Sequence, residues 1–311
     1  MAGDKLRRHY KKVSSGFKDW EQKLHAEEYM IFPENIGENL SIDEVSLSKG
    51  ELYTFLTNKA GKGKRGTIVA CIRGTTSKEI VNVLMKIVLE SRLKVKVVSL
   101  DMAKNMESAV KEMFPNAELV TDRFHVVQLV CRDLQQIRIE IKKQVATKEN
   151  EAIKLAKSKK EKYVPIEFSN GDTPKQLLTR SRYILAKKQT DWTINQAERG
   201  AILFAQYPLI EKAYKQTMVF RNIYTNNTKI RAKEQFLNWI EAVNKDDGFL
   251  EFQTSANTVE NHLETILNFF NNGTTNANAE SFNARIKLFR ANLRGVTDTS
   301  FFLFRMSKLY A

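Results

Sequence analysis

Three strand-like runs near the start of the chain constrain its fold more than any other feature. Residues 40–45, 52–57 and 67–72 are rich in aliphatic, β-branched and aromatic side chains. The connection between the second and third runs, residues 58–66, contains three glycines and four cationic residues, as a solvent-exposed turn does. Strands that follow one another through such short turns pair as an antiparallel meander.

After this meander the chain alternates between helical and strand-like patterns. Residues 77–92 place apolar side chains on one helical face, and residues 94–100 form an apolar, β-branched run typical of a buried strand. Another helix around Val110 and a fifth strand at 117–121 follow. The order βββαβαβ is the core topology of the ribonuclease-H-like fold. We therefore predict an α/β protein with a five-stranded mixed sheet and flanking helices, in which the first and fourth strands lie side by side.

The remainder of the chain predicts a long helical insertion in this core. From residue 124 to about 267 the apolar spacing is nearly all helical, and the segment 142–162 is rich in lysine. We predict a basic N-terminal lead-in at 1–38, the first part of the core at 39–128, the insertion at 129–268 and the end of the core at 269–311.

The charge of the chain indicates its partner. It carries 50 Lys and Arg against 36 Asp and Glu, a net charge of +14, which favours a polyanion such as nucleic acid. A protein that is merely basic is the alternative. No apolar run reaches the length of a membrane span, and no apolar stretch of a signal peptide follows the N-terminal cations. Two isolated cysteines are typical of a reducing compartment.

Three acidic positions are candidate metal ligands. Asp43 interrupts the first strand-like run, Asp101 ends the fourth, and Glu280 opens a long helical pattern. Carboxylates delivered from two strand ends and a helix are the hard oxygen ligands that Mg²⁺ prefers. An acidic residue at such a position is by itself more often a helix cap or a turn residue. The prediction of a metal site therefore depends on the three residues in combination. Glu44 is left out because it points to the opposite face of its strand.

The most specific motif follows Asp101 after one short helix. It reads FPNAELVTDRFHVV at residues 114–127, and NAESFNARIK surrounds Glu280. In these segments the chain resembles the insertion-sequence transposases of the ISL-three type, members of the DDE group with a ribonuclease-H-like catalytic core. The resemblance covers roughly residues 38–311.

The resemblance implies roles for five residues. Asp43, Asp101 and Glu280 are similar to the metal-binding catalytic triad of the family, and Asp122 and His125 to its Asp-x-x-His motif. It implies Mg²⁺-dependent DNA cleavage and strand transfer at transposon ends, with Mn²⁺ as a substitute. For His125 two roles stay open, since it could orient a nucleotide at the scissile site or bridge strand and helix within the core.

Clustered cations are candidates for phosphate contacts. They lie in the turn before the third strand, in the lysine-rich segment and after Glu280, namely Lys59, Lys62, Lys64, Arg65, Lys154, Lys157, Lys159, Lys160, Arg285 and Lys287. For the lysine-rich segment the alternative is a solvated helix that binds nothing.

Two other functions fit the same pattern. One is a ribonuclease-H-like nuclease that cuts without joining, and the other is a non-catalytic DNA-binding relic. As a transposase the chain is expected to bind double-stranded DNA, to form a homo-oligomer around two transposon ends and to have no membrane partner. It is expected in the bacterial cytoplasm, associated with the nucleoid. Whether a separately encoded protein recognises the transposon ends stays open.

Overall fold

The computed structural model describes residues 2–48, 50–225, 228–246, 249–272, 277–293 and 295–311. At positions 2–4, 7, 48, 272 and 277–280 it describes the backbone and not the side chains. The chain forms two compact units, one of residues 1–125 with 264–311 and the other of residues 126–263.

The first unit is built on a six-stranded mixed sheet. Its strands are β1 Tyr29–Ile31, β2 Asn39–Ser48, β3 Glu51–Asn58, β4 Ile68–Arg73, β5 Val97–Leu100 and β6 Glu118–Thr121, in the spatial order β1-β4-β3-β2-β5-β6. Strands β1 to β4 pair antiparallel, whereas β5 runs parallel to both β2 and β6. The predicted ribonuclease-H-like fold is confirmed. The sheet contains one strand more than expected, because β1, in the lead-in, pairs with the edge of the meander.

Fourteen α-helices lie in the described parts of the chain. They are α1 Ala2–His9, α2 Ser77–Leu84, α3 Leu89–Leu93, α4 Lys104–Met113, α5 Arg123–Ser158, α6 Pro174–Ile184, α7 Ile194–Gln206, α8 Pro208–Ile223, α9 Lys229–Asn244, α10 Leu250–Asn261, α11 Leu263–Leu267, α12 Phe269–Asn272, α13 Ala277–Asn292 and α14 Thr299–Tyr310. The pattern at 77–92 predicted one continuous helix. The chain instead forms α2, capped by reciprocal bonds between Thr76 and Glu79, and then the short α3. None of the described helices has the length and hydropathy that crossing a membrane requires.

The two faces of the sheet bury different helices. On one face Leu40 and Ile42 pack in a cluster with α2 and α4. On the other face Val45 and Leu47 pack with Phe282 of α13 and with α14. Because side chains alternate along a strand, Asp43 projects to the same face as Val45, the face that α13 covers.

Residues from 264 onward, which belong to the first unit, cover the open edge of the sheet. Asn268 donates its side-chain amide to the carbonyl of Leu119 on β6 over 2.9 Å. One turn earlier, the hydroxyls of Thr265 and Thr121 lie 2.7 Å apart. Covering an edge strand blocks its pairing with other chains, so this contact protects β6.

The second unit is helical and has its own core. Trp239 lies 4.6 Å from Phe220, measured between ring centroids, and both side chains are buried. Asp172, fully buried at the start of the bundle, forms ion pairs with Arg180 and Arg199. Paired in this way, a buried carboxylate fixes the loop before α6 to two helices of the unit.

Candidate active site

Two of the three predicted carboxylates lie side by side at the centre of the sheet. Strands β2 and β5 run parallel with Ser41 opposite Ser99. Asp43 and Asp101 each follow these serines by two residues, so they share a face of neighbouring strands about 4.8 Å apart. The topology thus brings together two residues that are more than fifty positions apart in the chain.

Hydrogen bonds and burial define the state of Asp43. Its Oδ1 accepts the backbone N–H of Glu44 at 2.8 Å, and its Oδ2 accepts the side-chain amide of Asn283 at 2.5 Å. Burial raises the pKa of Asp43, and the charge of Asp101 raises it further, against the lowering effects of the Glu44 amide, His125 and Asn283. A carboxylate whose charge is disfavoured by burial and by a neighbouring carboxylate is suited to binding a hard cation.

The contact of Asn283 ties helix α13 to the site. Glu280 lies in the same helix, three residues before Asn283, which is slightly less than one helical turn. The side chain of Glu280 lies outside the part of the chain that the structure describes. Its role as the third ligand therefore stays a prediction. Among the described side chains alone, no three His, Cys, Asp or Glu residues are placed to hold a metal ion.

The Asp-x-x-His motif lies beside Asp101. Nδ1 of His125 is 3.7 Å from Oδ1 of Asp101 and 3.5 Å from Oδ2 of Asp122. Asp122 is only 2% exposed, and its Oδ1 accepts the backbone N–H of Phe124 at 3.3 Å. Both roles suggested for His125 are compatible with this position, since it lies at the start of α5 and its ring contacts Asp101, which directly follows β5.

Lys59 lies within the site and is not a surface lysine of the loop. Its Nζ donates to the hydroxyl of Ser99, two residues before Asp101. Burial lowers the pKa of Lys59 to about 8, and the charge of Asp122 opposes that shift. Lys59 follows the last residue of β3, and its contact with Ser99 depends on how β2 pairs with β3 and with β5.

The other predicted cations of the loop are exposed. Lys62, Lys64 and Arg65 project to solvent between β3 and β4. Arg285 of α13 donates its guanidinium to the carbonyl of Gly63 at 2.6 Å. The loop is therefore attached to the helix that carries Asn283.

The remaining predicted cations lie on α13 and in the helical unit. Lys287 is exposed on α13. In the helical unit the four predicted lysines are exposed at or just beyond the end of α5, namely Lys154, Lys157, Lys159 and Lys160.

Asn283 is the residue that sequence analysis missed. The only local signal was its position three residues after Glu280, which places both on one side of a helix. Nothing local indicated that its amide would bond to Asp43.

A ribonuclease-H-like sheet with paired aspartates on its two central parallel strands defines a class of nucleic-acid-processing enzymes. Within this class, a family model described as transposase, of the DDE group and the ISL-three type, matches residues 40–306. The chain belongs to this family of insertion-sequence transposases. The family cleaves nucleic acid, acts on DNA and generally uses divalent metal ions. No curated protein and no solved structure matches the chain.

Proposed function

We propose that this chain cleaves DNA at the ends of an insertion sequence and joins them to a target, using Mg²⁺, with Mn²⁺ as a substitute. One observation carries the proposal. Asp43 and Asp101 lie side by side on neighbouring strands, and Asn283 bonds Asp43 to the helix that contains Glu280. Three carboxylates placed in this way suit Mg²⁺, which binds few protein oxygens and leaves its other coordination sites to water and phosphate.

Asp43, Asp101 and Glu280 would hold the divalent cation. When bound, the metal lowers the pKa of the attacking water or hydroxyl and neutralises charge on the phosphate. The chain's own residues orient the ligands. Backbone N–H groups of Glu44 and Met102 each donate to the adjacent aspartate, at 2.8 and 2.6 Å. These bonds hold the carboxylates in place before DNA binds.

Exposed cations near the site would position the DNA backbone. Lys62, Lys64 and Arg65 stand on a loop that Arg285 attaches to α13. Contacts from lysine and arginine to phosphates fix the position of a protein along the DNA, but they do not distinguish one base sequence from another. Lys154, Lys157, Lys159, Lys160 and Lys287 are exposed and are proposed to make further phosphate contacts.

Partners beyond DNA follow from the reaction. Joining two ends to one target requires both ends in one complex, so we expect a homo-oligomer. End recognition by a separately encoded protein and association with the bacterial nucleoid are part of the same proposal.

The test is a variant of Asp101 assayed on the element's own ends. Asp101→Asn keeps the size and shape of the side chain but removes the charge, so it should fold normally and lose both cleavage and joining with Mg²⁺. Glu112→Gln, an exposed change on α4, is the matched control and should react as the wild type does. Full strand transfer by Asp101→Asn would disprove the site.

The two competing functions give different products. A nuclease without strand transfer would cut paired ends and never join them. A DNA-binding relic would do neither, and calorimetry would detect no Mg²⁺ binding by the wild type.

A further inference from the structure

One phenylalanine of this protein is placed unlike the others. The chain has 18 phenylalanines, all within the described residues. Phe124 is the one whose side chain is exposed, at 50%. A phenyl ring that stays in water does not contribute the favourable free energy that its burial would give. A fold that buries or half-buries every other phenylalanine therefore leaves this ring at the surface at a cost.

The exposed ring lies next to the candidate active site. Phe124 stacks edge-to-face on His125, with ring centroids 5.7 Å apart, and Nδ1 of His125 is 3.7 Å from Asp101. The backbone N–H of Phe124 donates to buried Asp122, which fixes the start of α5. Exposed Arg123 precedes the ring. An exposed aromatic ring on a fixed stretch of backbone, an adjacent cation and the carboxylate of Asp101 thus lie close together.

We infer that Phe124 binds an unpaired nucleobase beside the scissile phosphate by stacking on it, an inference that rests on the proposed function. Base–aromatic stacking tolerates any sequence, because every base has a π-face. A base held against Phe124 would leave the adjacent phosphate exposed to Asp43 and Asp101.

The probe is a pair of short duplexes of mixed sequence, one fully paired and one with a single central mismatch. Affinities are measured by fluorescence anisotropy with Ca²⁺, which is expected to support binding without cleavage. Taking the ratio of the two affinities cancels the phosphate contacts that both duplexes share. The wild type should prefer the mismatched duplex, and Phe124→Ala should reduce that preference roughly 5- to 150-fold.

Three further variants separate stacking from simple hydrophobicity. Phe124→Trp should keep the preference, and Phe124→Leu, apolar but not aromatic, should lose it. Leu89→Ala removes an exposed apolar side chain from α3, on the other face of the sheet, and should behave as the wild type. Because Phe124 is exposed, Phe124→Ala should also keep the wild-type melting temperature.

Photo-crosslinking gives an independent readout. A 5-iodouracil placed at the mismatch should crosslink to the peptide that contains Phe124 in the wild type, and not in Phe124→Leu. A wild type without preference, or a preference that persists in Phe124→Ala or Phe124→Leu, would overturn the inference. Failure of the proposed function looks different, since a wild type with the preference but without Mg²⁺-dependent cleavage would remove the proposed cleavage and joining and leave base binding in place.

Discussion

Asn283 donates its side-chain amide to Oδ2 of Asp43 across 2.5 Å, although 240 positions separate the two residues in the chain. The bond joins helix α13 to β2, the first long strand of the sheet. Asp43 sits in a partly buried environment that raises its pKa, and this amide is one of the groups that favour its charged form. We therefore consider Asn283 a positioning residue for the carboxylate pair.

Replacing Asn283 should weaken metal binding without unfolding the protein. Residues that orient a metal ligand typically change affinity or activity about 10- to 100-fold, and we expect Asn283→Ala to reduce both Mn²⁺ affinity and cleavage in that range. Calorimetry of Mn²⁺ binding measures the first directly. Asn292→Ala, an exposed change on the same helix, should alter neither. If the Asn283 variant and the wild type bind Mn²⁺ with equal affinity, the bond between Asn283 and Asp43 has a structural role and does not position the metal ligand.

The loop between β3 and β4 depends on a glycine. Gly63 has φ of +70°, and a Cβ there would lie 3.2 Å from the guanidinium of Arg285. Gly63→Ala should destabilise the protein by about 1–2 kcal/mol from its left-handed backbone, with a further cost from the displaced arginine. Gly16→Ala, at φ of +77° with open space around it, should show the backbone cost alone. Urea unfolding measures the loss of stability in both variants. Equal losses would show that displacing Arg285 adds no cost to the change at Gly63.

The cations of the same loop should set DNA affinity. Reversing Lys62, Lys64 and Arg65 to Glu should weaken binding of duplex DNA and reduce the slope of log affinity against log salt by roughly 3, if each contacts one phosphate. A titration at several salt concentrations measures this slope.

The control for this triple variant comes from surface lysines of the same unit. Lys94, Lys96 and Lys111 each pair with a glutamate on the surface. Their reversal makes the same change in net charge, so it corrects for the general effect of charge. A salt slope that falls equally in both triple variants would exclude the loop as a phosphate site.

The stability of the helical unit should depend on pH through Asp133. Burial raises the pKa of Asp133 to about 7, with Glu251 adding to the shift and a hydrogen bond from Ser255 opposing it. Because the folded protein holds this proton more tightly than the unfolded chain, the contribution of Asp133 to stability falls as pH rises from about 4 to about 7.

Asp133→Asn keeps the shape of the side chain and cannot ionise. Its free energy of unfolding relative to the wild type should therefore rise across this pH window and level off above it. Denaturant unfolding at several pH values measures the difference, and Asp191→Asn, an exposed change in the same unit, should show no such trend. A constant difference between Asp133→Asn and the wild type from pH 4 to 8 would contradict the assignment.

Asp172 should be among the most sensitive positions of the helical unit. Burial alone would raise its pKa, but Arg199 and Arg180 outweigh that effect and lower it. We expect Asp172→Ala to lose about 1–3 kcal/mol, because Arg199 loses its partner, whereas the half-exposed Arg180 is solvated by water instead. Thermal unfolding measures the loss. A cost near that of an exposed substitution such as Asp191→Ala would show that solvent replaces the pair.

Local patterns in the sequence predicted most of the sheet. Strand-like runs and turn residues placed five strands, and their order made Asp43 and Asp101 neighbours before any contact was known. Strand β1 escaped prediction because three residues are too few to show alternation. Helix α5 continues through the lysine-rich segment, where the apolar pattern is weak.

The sequence by itself determined which residues form strands and which face each strand buries, because these properties repeat with the period of the backbone. The order of the strands along the chain then made Asp43 and Asp101 neighbours. Only the tertiary structure decided that Asn283 bonds to Asp43, that Lys59 turns inward to Ser99 and that Phe124 stays exposed beside His125. The first two contacts join residues that are far apart in the chain, and the exposure of Phe124 depends on what packs around the start of α5. They depend on how helices and strands pack, and on which side chains fit the space that remains.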